Sequence, residues 1–529
     1  MKLDNKRKRT VLIVSILLLT IGVTFAYFMA RTGAGASANT NIKADTVDDL
    51  KFSISKDSLS LNINQFNFAS GSGNLSDTIK ATASLKANST KKTATSNYYV
   101  YFQIESNEYI YTTTDKKPEI VLSITGPNGE ITSLDNLSYV TATNADGTKV
   151  KGFDITEQRS SVIKVADTFE ISSSSSKNYT NQDWTVTVTF INLDTNQADN
   201  EGKTLIGKVL IQKEKIPTSI ADICSNGDNL NDCIVNSYNK LGAALGLYYH
   251  DANLTNGAGD NSYRYSGANP NNYVCFGSNE STCPTDNLYR IIGVFGNNVK
   301  LIKYDYGTTD ELGTDGDYYK TYKEWGMGST YKGTYGDGER IGVYYWNKST
   351  QKNTWSESLL NKTNLNTNFI NNIGEEWANK IATTTWKVGG NKAINIDPVT
   401  PSVAYQNEIV NPVTSNTTDN AIEYSAKIGL MYASDYGFAA EPSAWTLTMN
   451  NYNNTTATST NWMYMGLYEW TIFRYADYSD VAFDVASGGH VNNRYVYLGN
   501  AVRPSFNLTS SVKYNSGSGT SSDPIRLKI

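Results

Sequence analysis

Asp183-Trp184-Thr185-Val186-Thr187-Val188-Thr189-Phe190-Ile191 alternates without a break. Extended, it turns Trp184, Val186, Val188 and Phe190 to one side and Thr185, Thr187 and Thr189 to the other, the pattern of an antiparallel strand half-buried on a core. The same period of two runs upstream through Tyr98, Val100, Phe102 and Ile104, and through Ile120, Leu122 and Ile124. Pro127-Asn128-Gly129, Asp146-Gly147 and the polar tract Ser172 to Ser176 separate these segments as turns. Strands at such spacing, with no amphipathic helix between them, predict a β-sandwich over 45–214 that ends with a strand from Leu205 to Ile211.

Downstream the character changes. Residues 215–245 read as a helix-capable connector, and 246–529 hold eight of the nine tryptophans along with much Gly, Asn and Tyr. Tyr289 to Lys303 predicts a hairpin turning at Gly296-Asn297-Asn298. Leu359, Leu360, Leu365, Phe369, Ile370, Ile373, Trp377 and Ile381 recur at three- and four-residue spacing and predict a helical stretch over 355–381. Short strands come next at Ile428 to Tyr432, Trp470 to Phe473, Val481 to Val485 and Arg494 to Leu498. Strands, helices and strands again within one stretch imply an α+β domain.

Upstream, residues 1–9 carry five basic groups, and Thr10 to Ala30, TVLIVSILLLTIGVTFAYFMA, carries no charge at all. A run of about 20 apolar residues serves either as a signal peptide or as a single spanning helix. Basic residues ahead of it keep the N-terminus cytoplasmic and send the chain beyond Ala30 outside. The expectation is a signal peptide or membrane anchor at 1–30, a small and polar linker at 31–44, and an extracellular or cell-surface location, secreted or membrane-anchored.

Charge sets further limits. The chain has 46 Lys and Arg against 51 Asp and Glu, and without its first 26 residues 41 basic groups face 50 acidic ones, a net −9. A body this acidic offers no basic field for a phosphate backbone, so nucleic acid is not an expected partner. Cys224, Cys233, Cys275 and Cys283 form two near pairs, which in an oxidising compartment favours two local disulfides, although four cysteines allow three connectivities. Their spacing is too wide for zinc knuckles, and the presence of only His250 and His490 argues against a multi-histidine metal site. The acidic stretches Asp194 to Glu201 and Asp251 to Gly257 depart from EF-hand spacing and read as solvated loops. No metal and no cofactor is expected.

Catalytic motifs are missing as well. The chain has no His-Glu-x-x-His, no Gly-x-Ser-x-Gly and no phosphate-binding loop. A carboxylate pair for glycoside hydrolysis depends on a separation set by the fold, and no catalytic residue is assigned.

Two resemblances extend this reading. Gly22-Val23-Thr24-Phe25-Ala26-Tyr27-Phe28 resembles the processing site of camelysin-type proteins, biofilm-matrix fibre proteins of Gram-positive bacteria, which implies cleavage after Ala26 and a fibre-type sandwich behind it. Trp462-Met463-Tyr464-Met465, Tyr468-Glu469-Trp470-Thr471 and Ala501-Val502-Arg503-Pro504-Ser505-Phe506, together with Tyr289 to Gly293, Ala426 to Tyr432 and Asp435-Tyr436, resemble a C-terminal domain of unknown function of gut Bacillota and Mycoplasmatota surface proteins. That resemblance covers about 246–529. It implies a fold akin to C-type lectins and the formylglycine-generating enzyme. The enzyme's chemistry needs cysteines late in the domain, and none lies beyond Cys283.

Within the domain, Ile472 to Asn500 carries the candidate ligand face. Val481, Phe483 and Val485 point one way, Ala482, Asp484 and Ala486 the other, and Ser487-Gly488-Gly489 makes a turn. Tyr475, Asp477, Tyr478, Asp480, His490, Asn492, Asn493, Tyr495 and Tyr497 are then displayed on the face and its flanking loops. Tyrosine gives rigid contact area at low entropy cost, and Asn, Ser and Gly give adaptable hydrogen bonds. The set is similar to the variable proteins of diversity-generating retroelements, which place mutable positions on a C-type lectin scaffold. The fold expected is therefore multidomain: an N-terminal hydrophobic helix, an all-β sandwich and an α+β C-type-lectin-like domain. The function expected is non-catalytic binding of an external glycan or protein, with Tyr and Trp faces stacking on it, by a surface protein that is a diversified adhesin in the sharpest form of the reading. The rival readings are a matrix or fibre subunit that polymerises through the sandwich and a secreted hydrolase.

Overall fold

A computed structural model describes residues 49–529 apart from 64–74, 89, 91–92, 135–136, 159–160, 167, 326–329, 393–395, 397–398, 413–420 and 454. The expected signal or anchor helix and the linker lie outside the described residues. Among the described residues no helix is long and apolar enough to cross a membrane. The chain divides into two units at Thr218/Ser219.

The first unit is all β. Its strands are β1 (Asp49–Ile54), β2 (Leu59–Asn62), β3 (Leu75–Lys86), β4 (Ala94–Asn107), β5 (Ile120–Gly126), β6 (Gly129–Glu130), β7 (Tyr139–Thr143), β8 (Lys149–Asp154), β9 (Ser161–Lys164), β10 (Phe169–Ser173), β11 (Thr180–Phe190) and β12 (Thr204–Gln212). One sheet runs β1-β3-β11-β5-β8-β7, with β6 folded back on β5; the other runs β10-β4-β12-β2, with β9 continuing the β10 edge of β4. Among the described residues all pairings in this unit are antiparallel, and apart from the β5–β6 and β7–β8 hairpins they join strands that are not consecutive in the chain.

The alternation that predicts β11 is what builds the core. Trp184, Val186, Val188 and Phe190 are buried against Tyr98, Val100, Phe102 and Ile104 of the opposite sheet. Trp184 joins the sheets specifically: its Nε1 donates to the Tyr98 hydroxyl at 3.0 Å, which donates to Gln182 Oε1 at 2.7 Å. Gly126 leaves room for the ring, since a Cβ there would stand 2.6 Å from it. The acidic loop after β11 turns amides inward. Gln197 Nε2 and Asn200 Nδ2 donate to the buried Glu119 carboxylate at 2.8 and 2.7 Å, so this loop closes over a buried acid.

The second unit opens earlier than the sequence reading expects. Residues from Ser219 belong to it, and the helix Leu230–Leu241 buries Leu230, Cys233 and Ile234 in its core. The segment 219–245 is thus structural wall, and the Cys224–Cys233 disulfide ties the helix to the stretch that leads into it. Cys275 and Cys283 form the other disulfide.

Its strands are β13 (Leu247–His250), β14 (Ser262–Tyr265), β15 (Tyr273–Cys275), β16 (Leu288–Phe295), β17 (Asn298–Lys303), β18 (Tyr318–Thr321), β19 (Gly342–Tyr345), β20 (Thr384–Lys387), β21 (Gly390–Asn391), β22 (Glu423–Ala426), β23 (Ile428–Gly429), β24 (Glu469–Tyr475), β25 (Val481–Val485), β26 (Val491–Tyr495), β27 (Gly499–Asn500), β28 (Ser505–Asn507), β29 (Lys513–Ser516) and β30 (Arg526–Lys528). The main sheet runs β13-β14-β16-β17-β28-β23, with β15 also on β16. The β16–β17 hairpin turns at Gly296, whose φ of +59° suits glycine. The β29–β30 hairpin returns to the start of the unit, where Gly227 N donates to Tyr514 O at 2.8 Å and Leu230 N to Val512 O at 3.0 Å.

Three predicted elements shift. The stretch 355–381 is π-helical over Leu360–Phe369 and α-helical over Ile370–Ile373 and Glu375–Ala378. Leu360, Leu365, Phe369 and Trp377 still face the core, and the Asn366 side chain donates from Nδ2 to Asn361 O at 3.0 Å. Only Ile428–Gly429 of the expected strand 428–432 is extended in a sheet, because Tyr432 caps the helix Ala433–Ala439. The strand expected at 494–498 instead covers 491–495.

Candidate functional site

The site grows from the sheet β21-β24-β25-β26 and the sheet β18-β19-β27. Strand β25 is buried on both faces, so β26, at the edge, is the member that presents side chains. Its register with β25 pairs Val481 with Tyr495, Phe483 with Asn493 and Asp484 with Asn492. Alternation therefore puts Asn493 on the face of Tyr495, and Asn492 on the other with Arg494. Arg494 Nε lies 3.2 Å from Asp484 Oδ2, a carboxylate that also accepts from Asn500 Nδ2 at 3.0 Å. The Asp484 alternation is read correctly from sequence, yet its side is buried and displays nothing.

Tyr495 and Tyr497 stand at the far end of β26, with rings stacked 5.1 Å apart and 12° from parallel. Val496 N donates to Asp480 O at 2.9 Å, which draws the loop 475–480 alongside. In that loop Tyr475 and Tyr478 have ring centroids 5.5 Å apart, Asp477 is exposed and Asp480 half-buried. Asn353 holds the loop in shape. Its Nδ2 lies 2.8, 2.7 and 2.8 Å from the carbonyls of Tyr475, Tyr478 and Val481, and its backbone N donates to Ser479 O at 2.6 Å.

Three residues that the sequence reading does not assign complete the surface. Asn347 N donates to Val496 O at 3.1 Å, bringing the end of β19 beside Tyr497. Lys348 Nζ then lies 5.1 Å from the Tyr345 ring centre and 6.0 Å from that of Tyr497, and Tyr345 meets Tyr319 at 5.0 Å. The result is a row Tyr319, Tyr345, Lys348, Tyr497, Tyr495. Tyr319, Tyr478, Tyr495 and Leu498 make up half of the eight exposed large hydrophobic side chains among the described residues, so this patch is concentrated. The signal for Tyr319 and Tyr345 lies in Tyr318-Tyr319 and Tyr344-Tyr345, where period two sends one ring inward and the next outward.

Two expectations need correction. His490 is half-buried in the turn at the other end of β26, separated from Tyr495 by a strand of about 17 Å. It stands apart from the tyrosine row, and burial lowers its imidazole from the ordinary value. The tryptophans do not form a stacking face either. Trp346, Trp355, Trp377, Trp386, Trp445, Trp462 and Trp470 are buried in packing, and only Trp325 in this unit is half-buried. Trp346 Nε1 donates to Thr471 O at 3.0 Å and Trp470 Nε1 to Tyr344 O at 2.9 Å, a reciprocal pair that pins β24 to β19 beneath the row.

Desolvation, and then the neighbouring Tyr495 and Asp480, raise the Tyr497 phenol above its usual value, so at neutral pH it is an uncharged donor and acceptor. The patch offers flat aromatic faces, hydroxyls, amides and one cation, which suits recognition by stacking and hydrogen bonding. Among the described residues no group of three or more His, Cys, Asp or Glu side chains is placed to hold a metal ion. No family model matches this chain, and no curated protein matches it in sequence.

Proposed function

We propose that this chain is an exported bacterial surface protein whose second unit binds an external glycan or protein and leaves it chemically unchanged. The supporting observation is the row of Tyr319, Tyr345, Tyr497 and Tyr495, its ends Tyr319 and Tyr495 exposed and Tyr345 and Tyr497 half-buried, with exposed Lys348 among them and a buried tryptophan scaffold behind. Rigid rings on a packed base lose little entropy when a ligand covers them. The C-type-lectin-like fold and the role of a diversified adhesin belong to this proposal, as do export through the N-terminal apolar segment and retention there if it is not cleaved. In this reading the first unit is a spacer or assembly module.

The test is a glycan and protein array probed with the full chain and with a Tyr495→Ala/Tyr497→Ala variant. Loss of about tenfold or more in the signal of the best ligand is expected, as for removal of aromatic anchors. An unchanged array would place recognition elsewhere.

A further inference from the structure

Folding brings an amine and an acid that are far apart in the chain into contact away from solvent. Lys300 of β17 places its Nζ 2.5 Å from Oδ2 of Asp435, in the helix Ala433–Ala439, with 6% and 3% of the two side chains exposed. A nitrogen this close to one carboxyl oxygen is near the separation of about 3–3.5 Å from the carbon at which attack proceeds.

The surroundings set this pair apart from an ordinary ion pair. An ammonium has three protons to donate. Among the described residues Asp435 is the one hydrogen-bond acceptor of Lys300 Nζ, and its other neighbours are rings, with centres at 4.7 Å for Tyr432, 5.4 Å for Trp386 and 5.7 Å for Phe295. Lys303, on the same strand, is the contrast. Its Nζ lies 2.9 Å from Asp286 O, 3.0 Å from Glu311 Oε1 and 3.2 Å from the Tyr335 hydroxyl, so all its protons have acceptors.

The charges point the same way. Arg264 Nη1 lies 3.5 Å from Asp435 Oδ1, and its Nη2 pairs with Asp260 at 2.6 Å. Glu408 is wholly buried, accepts from Ala433 N at 3.0 Å and Ser434 N at 2.9 Å just ahead of Asp435, and makes no ion pair among the described residues. Three acids therefore share two bases. Burial raises the Glu408 carboxyl to about 7 and lowers the Lys300 amine in spite of Asp435, drawing both toward their neutral forms.

We propose that Lys300 and Asp435 condense into an isopeptide bond that crosslinks the second unit. One Lys300 proton passes to Oδ2, and the freed lone pair of Nζ attacks the carboxyl carbon. The electron pair displaced from the C=O bond gathers on Oδ1, where the Arg264 charge stabilises it. As that double bond re-forms, the C–Oδ2 bond breaks and Oδ2 leaves as water with a second lysine proton, while the third stays on the amide nitrogen. One water is released, two opposite charges vanish, and no co-reactant is consumed. Hydration of the two ions opposes this condensation in water, and closure from solvent removes that opposition. Arg264 with Asp260 and an uncharged Glu408 are left, a balanced set. The bond closes a covalent loop that contains Tyr319 and Tyr345, and it does not depend on what the tyrosine row binds.

The test is the intact mass of the purified, folded full chain after reduction of its disulfides. A value about 18 Da below that of its sequence is expected, the mass of one water. Trypsin should then yield a branched peptide in which residues 291–303, uncut at Lys300, are joined to the fragment that holds Asp435. Lys300→Arg keeps a cation beside Asp435 but cannot form this amide, and should show the full mass. Asp435→Asn presents a carboxamide to the same amine, releases ammonia in place of water, and should reach the same final mass as the crosslinked parent. A parent chain that melts cooperatively yet has its full mass would overturn the proposal and leave an ion pair. So would a lost water that maps elsewhere, such as to a succinimide at Asp146-Gly147, or one that persists in Lys300→Arg.

Discussion

Arg503 grips Glu469 in a two-pronged ion pair, Nε to Oε1 at 2.8 Å and Nη2 to Oε2 at 2.9 Å, with both side chains almost wholly buried. The same Nη2 donates to Met463 O at 2.7 Å. The pair fixes the start of β24 against the chain just past β27, and the tyrosine row stands on both. Removing one partner strands the other charge in the core, so Glu469→Leu is expected to cost about 3–5 kcal/mol in denaturant unfolding. Glu469→Leu/Arg503→Met removes both charges and should recover most of that loss. Equal destabilisation by single and double variants would show that packing outweighs the charge.

Asn353 shapes the loop that carries Tyr475 and Tyr478. Asn353→Ala is expected to lower stability by about 2 kcal/mol and to speed amide exchange in residues 476–481 selectively. Exchange that rises equally through the whole unit would contradict a local role.

His250 makes the second unit acid-sensitive. It is fully buried, its ring centre 4.8 Å from Phe438 and 5.0 Å from Trp445, and its Nδ1 accepts from Ala258 N at 3.1 Å. Burial first, and then the Arg264 charge, depress its pKa to about 3. The unfolded chain binds the proton from about pH 6.5 downward while the folded one refuses it. The stability from a neutral His250 is therefore present above pH 6.5 and is lost as pH falls toward 3, by up to about 5 kcal/mol. Urea unfolding of the full chain between pH 7 and 4 should show this slope, and His250→Gln should flatten it.

The Cys275–Cys283 disulfide closes a short loop beside β15 and β16. Loop-closure entropy for a ring of this size gives about 2–3 kcal/mol. A Cys275→Ser/Cys283→Ser variant is expected to unfold at correspondingly lower denaturant concentration, and an unchanged midpoint would show that the loop is already ordered by its packing.

Strand patterns were legible wherever one face meets a core. Trp184 to Phe190 and Tyr98 to Ile104 read correctly because period two is a property of the backbone that needs no knowledge of partners. The same logic places Val481, Phe483 and Val485. It does not reveal that Ala482 and Asp484 are covered as well, since the groups that cover them, Arg494 among others, come from another strand. The tyrosine surface was half legible: Tyr475 and Tyr478 of the flanking loop and Tyr495 and Tyr497 of the row lie near one another in the chain, whereas Tyr319 and Tyr345 reach them across about 150 residues.

Composition and local order by themselves determined the acidic charge, the β-rich character, the near pairing of the cysteines and the alternation of individual strands, because each depends only on residues close in the chain. Tertiary structure alone decided which rings pack and which face outward. It turned the tryptophans inward, parted His490 from Tyr495 and drew Lys348 against Tyr497, because burial arises from segments brought together by folding.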